Sequence, residues 1–311
     1  SLQNKTEKAI DAFEKCVKEY EYVEYSHAKA DTDLDNIRND ERFIALMESI
    51  REKGDYIYIL QQAGGYKSAD TSRLPHFKYE SASNGNLKDV RKYFNLDSIA
   101  GQGDEISKIL NLLAWVHNTI RHDGNNQALC EFDAIDIYNY YKATGKGVNC
   151  RHLAITLNEC YLAMGIKSRF ITCLPMDEDD QDCHVINSVY SETLKKWLWI
   201  DPTNNAYVKD ENGNLLSIAE VRQRLIDNLP LVLNSDANWN NQNPRTKEEY
   251  LDSYMAKNLY WIQCPAVSKF NAESRYRNNK EIYISIHPLG YEHSPINGVI
   301  THDPEYFWQN P

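Results

Sequence analysis

Three side chains, in the order thiol, imidazole, carboxylate, carry most of the chemistry legible in this chain. Cys150 lies in GlyValAsnCysArgHisLeuAla, His184 in AspCysHisVal, and Asp201 ends TrpLeuTrpIleAspProThr. A cysteine opening an apolar helix, a histidine beginning one strand and an aspartate ending the next supply a nucleophile, its general base and the group that orients the base. That combination points to acyl transfer through a thioester.

The elements that must position them can be read locally. Leu153, Leu157, Cys160, Tyr161 and Met164 recur at helical spacing with one apolar face, and Gly165 stands at the stop position. Cys150 therefore falls in the first turn, after a flexible ThrGlyLysGly stretch at 144–147. Unpaired backbone N–H groups and the positive helix end there favour a thiolate and can accept an oxyanion. Residues 184–190 alternate, with Val185 and Val189 on one side and His184, Ile186, Ser188 and Tyr190 on the other. A polar connection at 191–196 leads to Trp197–Asp201, and Pro202 ends any strand. A hairpin whose loop holds an even number of residues puts His184 and Asp201 on the same face, opposite or diagonal. The carboxylate can then hold one imidazole nitrogen and leave the other for the thiol. Taken singly, each group has an ordinary structural explanation: a core thiol, a strand histidine, a turn aspartate. The three in order are harder to explain that way.

These blocks, with AlaMetGlyIleLysSerArgPhe at 163–170 and AlaTrpValHisAsnThrIle at 114–120, resemble the transglutaminase-like cysteine enzyme superfamily, particularly its bacterial members. The likeness spans roughly residues 85 to 205. It implies that Cys150 is the nucleophile, His184 the base and Asp201 the orienting acid. It also implies an α+β, papain-like core in which a cysteine-bearing helix packs on an antiparallel sheet. One departure stands out: where many bacterial relatives carry an aromatic residue, often tyrosine, this chain has His122. That position lies near the family's oxyanion site, which makes His122 a candidate oxyanion donor.

Composition agrees with an enzyme and narrows the partners. The chain has 311 residues, enough for a full core plus a smaller accessory region. A net charge of −11 argues against nucleic acid, and no apolar run approaches a membrane span. A protein or peptide substrate is expected, with no cofactor. The abrupt start at Ser1 fits a processed or truncated end, so compartment stays open, an extracytoplasmic site with the leader removed being one outcome. Seven cysteines at 16, 130, 150, 160, 173, 183 and 264 describe neither a disulfide scaffold nor zinc spacing. This counts against the zinc-bearing, glycan-removing branch of the superfamily.

Two regions are expected: an N-terminal helical region over 1–65 and a catalytic domain over 66–311. Residues 33–43 resemble the tail of a tetratricopeptide array without a second copy, so the region is at most a cap and a place for a partner to dock. Residues 64–86 read as a linker or long surface loop. Asp104 and Asp133 cap helices, 171–174 is a strand, 215–229 and 248–258 are helical, and 281–286 alternates as a late strand of the catalytic sheet. The acidic run 177–182 should lie at the rim of the site as a solvated loop. His287, His293 and His302 with Asp303 cluster near the C-terminus without metal-ligand spacing. His152 points away from Cys150 and is a poor base. The expected function is a thiol hydrolase of peptide or amide bonds. The alternatives are a glutamine–lysine cross-linking enzyme and, less in keeping with an intact triplet, a non-catalytic peptide-binding member.

Overall fold

The computed structural model describes residues 5–276, 281–293 and 297–311. A six-stranded sheet organises the body, in the order Gly298–Thr301, Tyr283–Ile286, Trp261–Pro265, Ser168–Leu174, His184–Ser191, Lys196–Ile200. Every neighbouring pair runs antiparallel except the outermost, Tyr283–Ile286 with Gly298–Thr301.

Both faces of the sheet are covered, and strand alternation divides the side chains between two cores. Phe170, Val185, Val189, Leu198 and Ile200 face one cluster, built with the helices Gly85–Phe94, Glu105–Thr119, Ala134–Thr144 and Cys150–Ala163. Ile171, Cys173, Ile186, Trp199 and Ile262 face the other, built with Tyr56–Gln62, Ile218–Ile226 and the helical stretch 248–258. A third cluster (Ile10, Phe13, Ala28, Ile37, Phe43, Leu46, Ile50) belongs to the N-terminal helices alone.

Asp104 and Asp133 cap their helices as expected, accepting bonds from Ser107 N and from Ile135 N and Asp136 N. Several local expectations change in the assembled molecule. The cysteine helix is not one-sided: every residue from His152 to Ala163 is buried, because sheet and neighbouring helices enclose it. Glu159 is paired within the core, accepting from the backbone N–H groups of Ala134 and Asn271 at 2.8 and 2.7 Å, and Thr156 and Asn158 also have partners there. The helix expected over 215–229 shrinks to Ile218–Ile226, opened by a Ser217–Glu220 capping box and closed before Asn228, which is left-handed. Residues 64–84 run mostly as the expected surface loop, but an anchored one rather than a free linker. Lys78–Tyr79 pairs with Val267–Ser268, while Tyr66, Leu74 and Phe77 pack against the second core cluster. Trp261–Pro265, which no alternation signalled, separates the late strand from Ser168–Leu174.

Candidate active site

Cys150 is the first residue of its helix. Asn149 caps the helix, its Oδ1 accepting from His152 N at 3.2 Å. The preceding stretch is fitted rather than loose. Val148 donates to Arg121 O at 2.9 Å and accepts from Asp123 N at 2.7 Å, and a Cβ on Gly147 would meet Arg121 O at 2.8 Å. Glycine lets the backbones of residues 121–123 and 147–148 approach, and that approach brings His122 to the cysteine.

His184 and Asp201 meet through the hairpin. Ser191 pairs with Lys196 and Asn187 with Ile200, so the connecting loop holds four residues and Asp201 lies diagonal to His184 on one face. His184 Nε2 stands 2.7 Å from Asp201 Oδ2, and both side chains are fully buried. With Nε2 committed to the carboxylate, Nδ1 is left for the Cys150 sulfur, with which the imidazole is hydrogen-bonded.

The carboxylate has further partners that sequence reasoning missed. Tyr250 donates to Asp201 Oδ2 at 2.6 Å and itself accepts from Trp199 Nε1 at 3.2 Å. Asn204 Nδ2 donates to Oδ2 at 2.9 Å and Thr203 N to Oδ1 at 2.8 Å. Tyr254, four residues after Tyr250 on the π-helix Glu248–Met255, sets its ring edge-on to His184 at 5.3 Å. Asn204 could have been suspected from its nearness to Asp201; Tyr250 and Tyr254, some fifty residues downstream, carry no local signal.

His122 is oriented from a second hairpin, Asn238–Trp239 paired with Asn243–Pro244. Trp239 Nε1 donates to His122 Nδ1 at 2.9 Å. An indole nitrogen only donates, so His122 Nδ1 accepts and, in the neutral ring, Nε2 carries the proton. Asn240 holds both backbone groups of His122, at 2.8 and 3.0 Å. His117 ties this hairpin to the triplet, one nitrogen 3.0 Å from Asn238 Oδ1 and the other 3.0 Å from Pro202 O.

The electrostatics follow from these contacts. Burial pushes the Cys150 thiol up, but hydrogen bonds from His122 and His184, the charge of His184 and the Val185 N–H outweigh it and bring the pKa down to about 6. Burial alone would discharge His184; the Asp201 carboxylate and the Cys150 sulfur reverse this and raise it to about 10. Asp201 is held down to about 2, its burial overcome by His184, Tyr250 and Asn204. Near neutral pH the pair is therefore thiolate and imidazolium. Cys130, Cys160, Cys173, Cys183 and Cys264 all move up instead, burial being the first cause for each.

Cys150 opens onto a cleft of about 390 Å³, lined also by Gln127, Asn149, Asp182 and Arg245. The acidic run lies at its rim, where Lys257 Nζ holds Asp180 and Asp182 at 2.8 Å each. His152 is buried away from the cleft, bonded to Asn149 at 2.6 Å, and burial brings its pKa down to about 4. His287 and His293 pack with Trp261 and Tyr291, and His302 bonds the His287 carbonyl; among the described residues no group of three or more His, Cys, Asp or Glu is placed to hold a metal.

No curated protein matches the chain. Among solved structures, a proposed cysteine protease from Cytophaga hutchinsonii is similar at 16% identity and a TM-score of 0.30, over 49% of each chain. This chain thus spans about half the length of that structure, and a likeness so slight bears no weight. Residues 93–202, which include Cys150, His184 and Asp201, match the transglutaminase-like superfamily. The chain carries, over that span, a domain of the transglutaminase-like superfamily, whose members are typically cysteine enzymes.

Proposed function

We propose that this protein is a thiol acyl-transfer enzyme that hydrolyses peptide or amide bonds through a thioester on Cys150. The observation that carries the reading is the hydrogen-bonded line from Cys150 through His184 to Asp201, with the thiol's pKa lowered and the imidazole's raised. The Cys150 thiolate attacks the carbonyl carbon. The oxyanion is received by His122 Nε2–H and the unpaired N–H groups of the first helical turn. As the tetrahedral adduct collapses, His184 Nδ1–H protonates the leaving amine and the acyl group stays on sulfur. His184, now neutral, takes a proton from water as that water attacks the thioester, and the acid departs with the thiolate restored. Asp201 holds His184 Nε2–H throughout, kept ionised by Tyr250 and Asn204. Water is favoured over an amine as acceptor because the cleft is polar and Cys150 is partly exposed.

The test is alkylation by iodoacetamide across pH, followed by peptide mapping. Cys150 should react faster than the other six cysteines, its rate rising through an apparent pKa near 6 as the thiolate forms, well below the ~8.5 of a free thiol. In His184→Ala the midpoint should move up, because the imidazolium no longer offsets the buried charge. Reactivity at Cys150 no greater than elsewhere would sink the reading.

A further inference from the structure

Two of the polar groups lining the cleft around Cys150, Arg245 and Thr203, have hydrogen-bonding capacity that the proposed reaction does not use. Arg245 follows the Asn238–Trp239 hairpin, its backbone N–H bonded to Ala237 O at 2.9 Å. Its Nε donates to Asn204 Oδ1 at 2.9 Å, and Asn204 in turn donates to Asp201. The guanidinium is thereby anchored at one nitrogen, yet among the described residues neither Nη has a hydrogen-bond or ion-pair partner. Arg151, the other arginine in the cleft wall, is engaged by Glu273 at 2.8 Å and Thr172 at 3.1 Å.

Thr203 lines the same cleft and is 3% exposed. Its backbone N–H is used by Asp201, but its hydroxyl is buried and, among the described residues, has no hydrogen-bond partner. Buried hydroxyls without a partner are uncommon and unfavourable, and one in a cleft wall is satisfied when a ligand supplies the acceptor. A planar guanidinium with free Nη groups binds a carboxylate through two parallel hydrogen bonds, and a neighbouring hydroxyl can give a third.

We propose that Arg245 and Thr203 form a carboxylate subsite, so that the bond attacked by Cys150 lies in a substrate bearing a free carboxylate close to the scissile amide. This rests on the hydrolase reading and adds the substrate class to it. The carboxylate is either a peptide C-terminus or an acidic side chain; the recognition chemistry is the same. Arg245 acts in specificity, holding the substrate by its charge while Asn204 keeps the guanidinium in register with the Asp201 end of the triplet.

Two alkylating agents of nearly equal size separate this inference from the reading beneath it. Iodoacetamide is neutral and reports the reactivity of the Cys150 thiolate; iodoacetate carries a carboxylate. The readout is the ratio of the iodoacetate to the iodoacetamide rate constant at Cys150 on one and the same protein, so a general change in thiol reactivity cancels. The ratio should fall by at least about tenfold in Arg245→Gln, the loss equivalent to one charged hydrogen bond. It should fall by less in Thr203→Val, which keeps the side-chain shape, and be partly kept in Arg245→Lys. A ratio unchanged in both Arg245→Gln and Thr203→Val overturns the subsite while leaving the thiolate reading intact. Failure of iodoacetamide to select Cys150 overturns the reading itself. Protection of Cys150 by trialanine but not by its C-terminal amide identifies a chain terminus; protection by N-acetyl-Ala-Glu-Ala-amide but not by its Gln analogue identifies an acidic side chain. Protection by neither anionic peptide counts against the subsite.

Discussion

Asp201 shows how much of the candidate site depends on a single side chain. It is fully buried, bonds His184, Tyr250, Asn204 and the Thr203 backbone, and stays ionised because those donors outweigh its burial. Asp201→Asn keeps the size but presents an amide where three side chains now find a carboxylate oxygen. His184 loses the charge that raises its pKa and the acceptor that fixes its tautomer. Turnover of any substrate the enzyme proves to cleave should drop on the order of 10³–10⁴-fold, as when the orienting carboxylate of a serine triad becomes an amide. Circular dichroism should be unchanged, and the Cys150 alkylation midpoint should rise above about 6, since the imidazolium that offsets the thiolate titrates earlier. A variant that kept full turnover would remove Asp201 from the proposed machinery.

The cysteine helix matters as a rigid mount. Its N-terminus presents Cys150, and its middle is tied to two distant segments by Glu159, whose carboxyl oxygens meet the N–H groups of Ala134 and Asn271. Burial raises the Glu159 pKa well above the ordinary carboxylate value, and the two N–H donors only partly oppose that. Glu159→Gln replaces one acceptor oxygen by an NH₂ group, which leaves one buried N–H facing another donor. The expected cost is about 1–3 kcal/mol in urea unfolding, the price of an unsatisfied buried polar group. A stability equal to the parent's would mean that the segment at Asn271 relaxes away from the helix. The second hairpin has the complementary task of aiming His122 through Trp239 and Asn240.

At the scale of the whole molecule, the proposed division between helical region and catalytic domain is best tested by a cut after Gly54. The N-terminal helices share their own apolar cluster, whereas Leu60 on Tyr56–Gln62 belongs to the core beneath the sheet. A chain beginning at Asp55 should fold, and its Cys150 should alkylate within about twofold of the parent rate, because none of the described residues before Asp55 lines the cysteine cleft. Its thermal midpoint should fall, since the Glu41–Gly54 helix packs against Tyr56–Gln62 and its removal exposes apolar surface. A folded but unreactive truncation would place the N-terminal helices within the chemistry.

What the sequence by itself determined is local and periodic. A helix starting at Cys150, capped helices at Asp104 and Asp133, a strand from His184 and the hairpin that carries Asp201 onto its face all follow from spacing, caps and loop parity, which act over a few residues. What only the tertiary structure decided is which remote groups meet. Tyr250 on Asp201, Trp239 on His122, and the insertion of Trp261–Pro265 into the sheet depend on contacts across tens of residues, to which side-chain periodicity is blind. The cysteine helix illustrates the difference most plainly. Its apolar spacing announced a one-sided helix, but the packed molecule encloses it on every side, because its buried polar residues find backbone and side-chain partners that only the folded chain supplies.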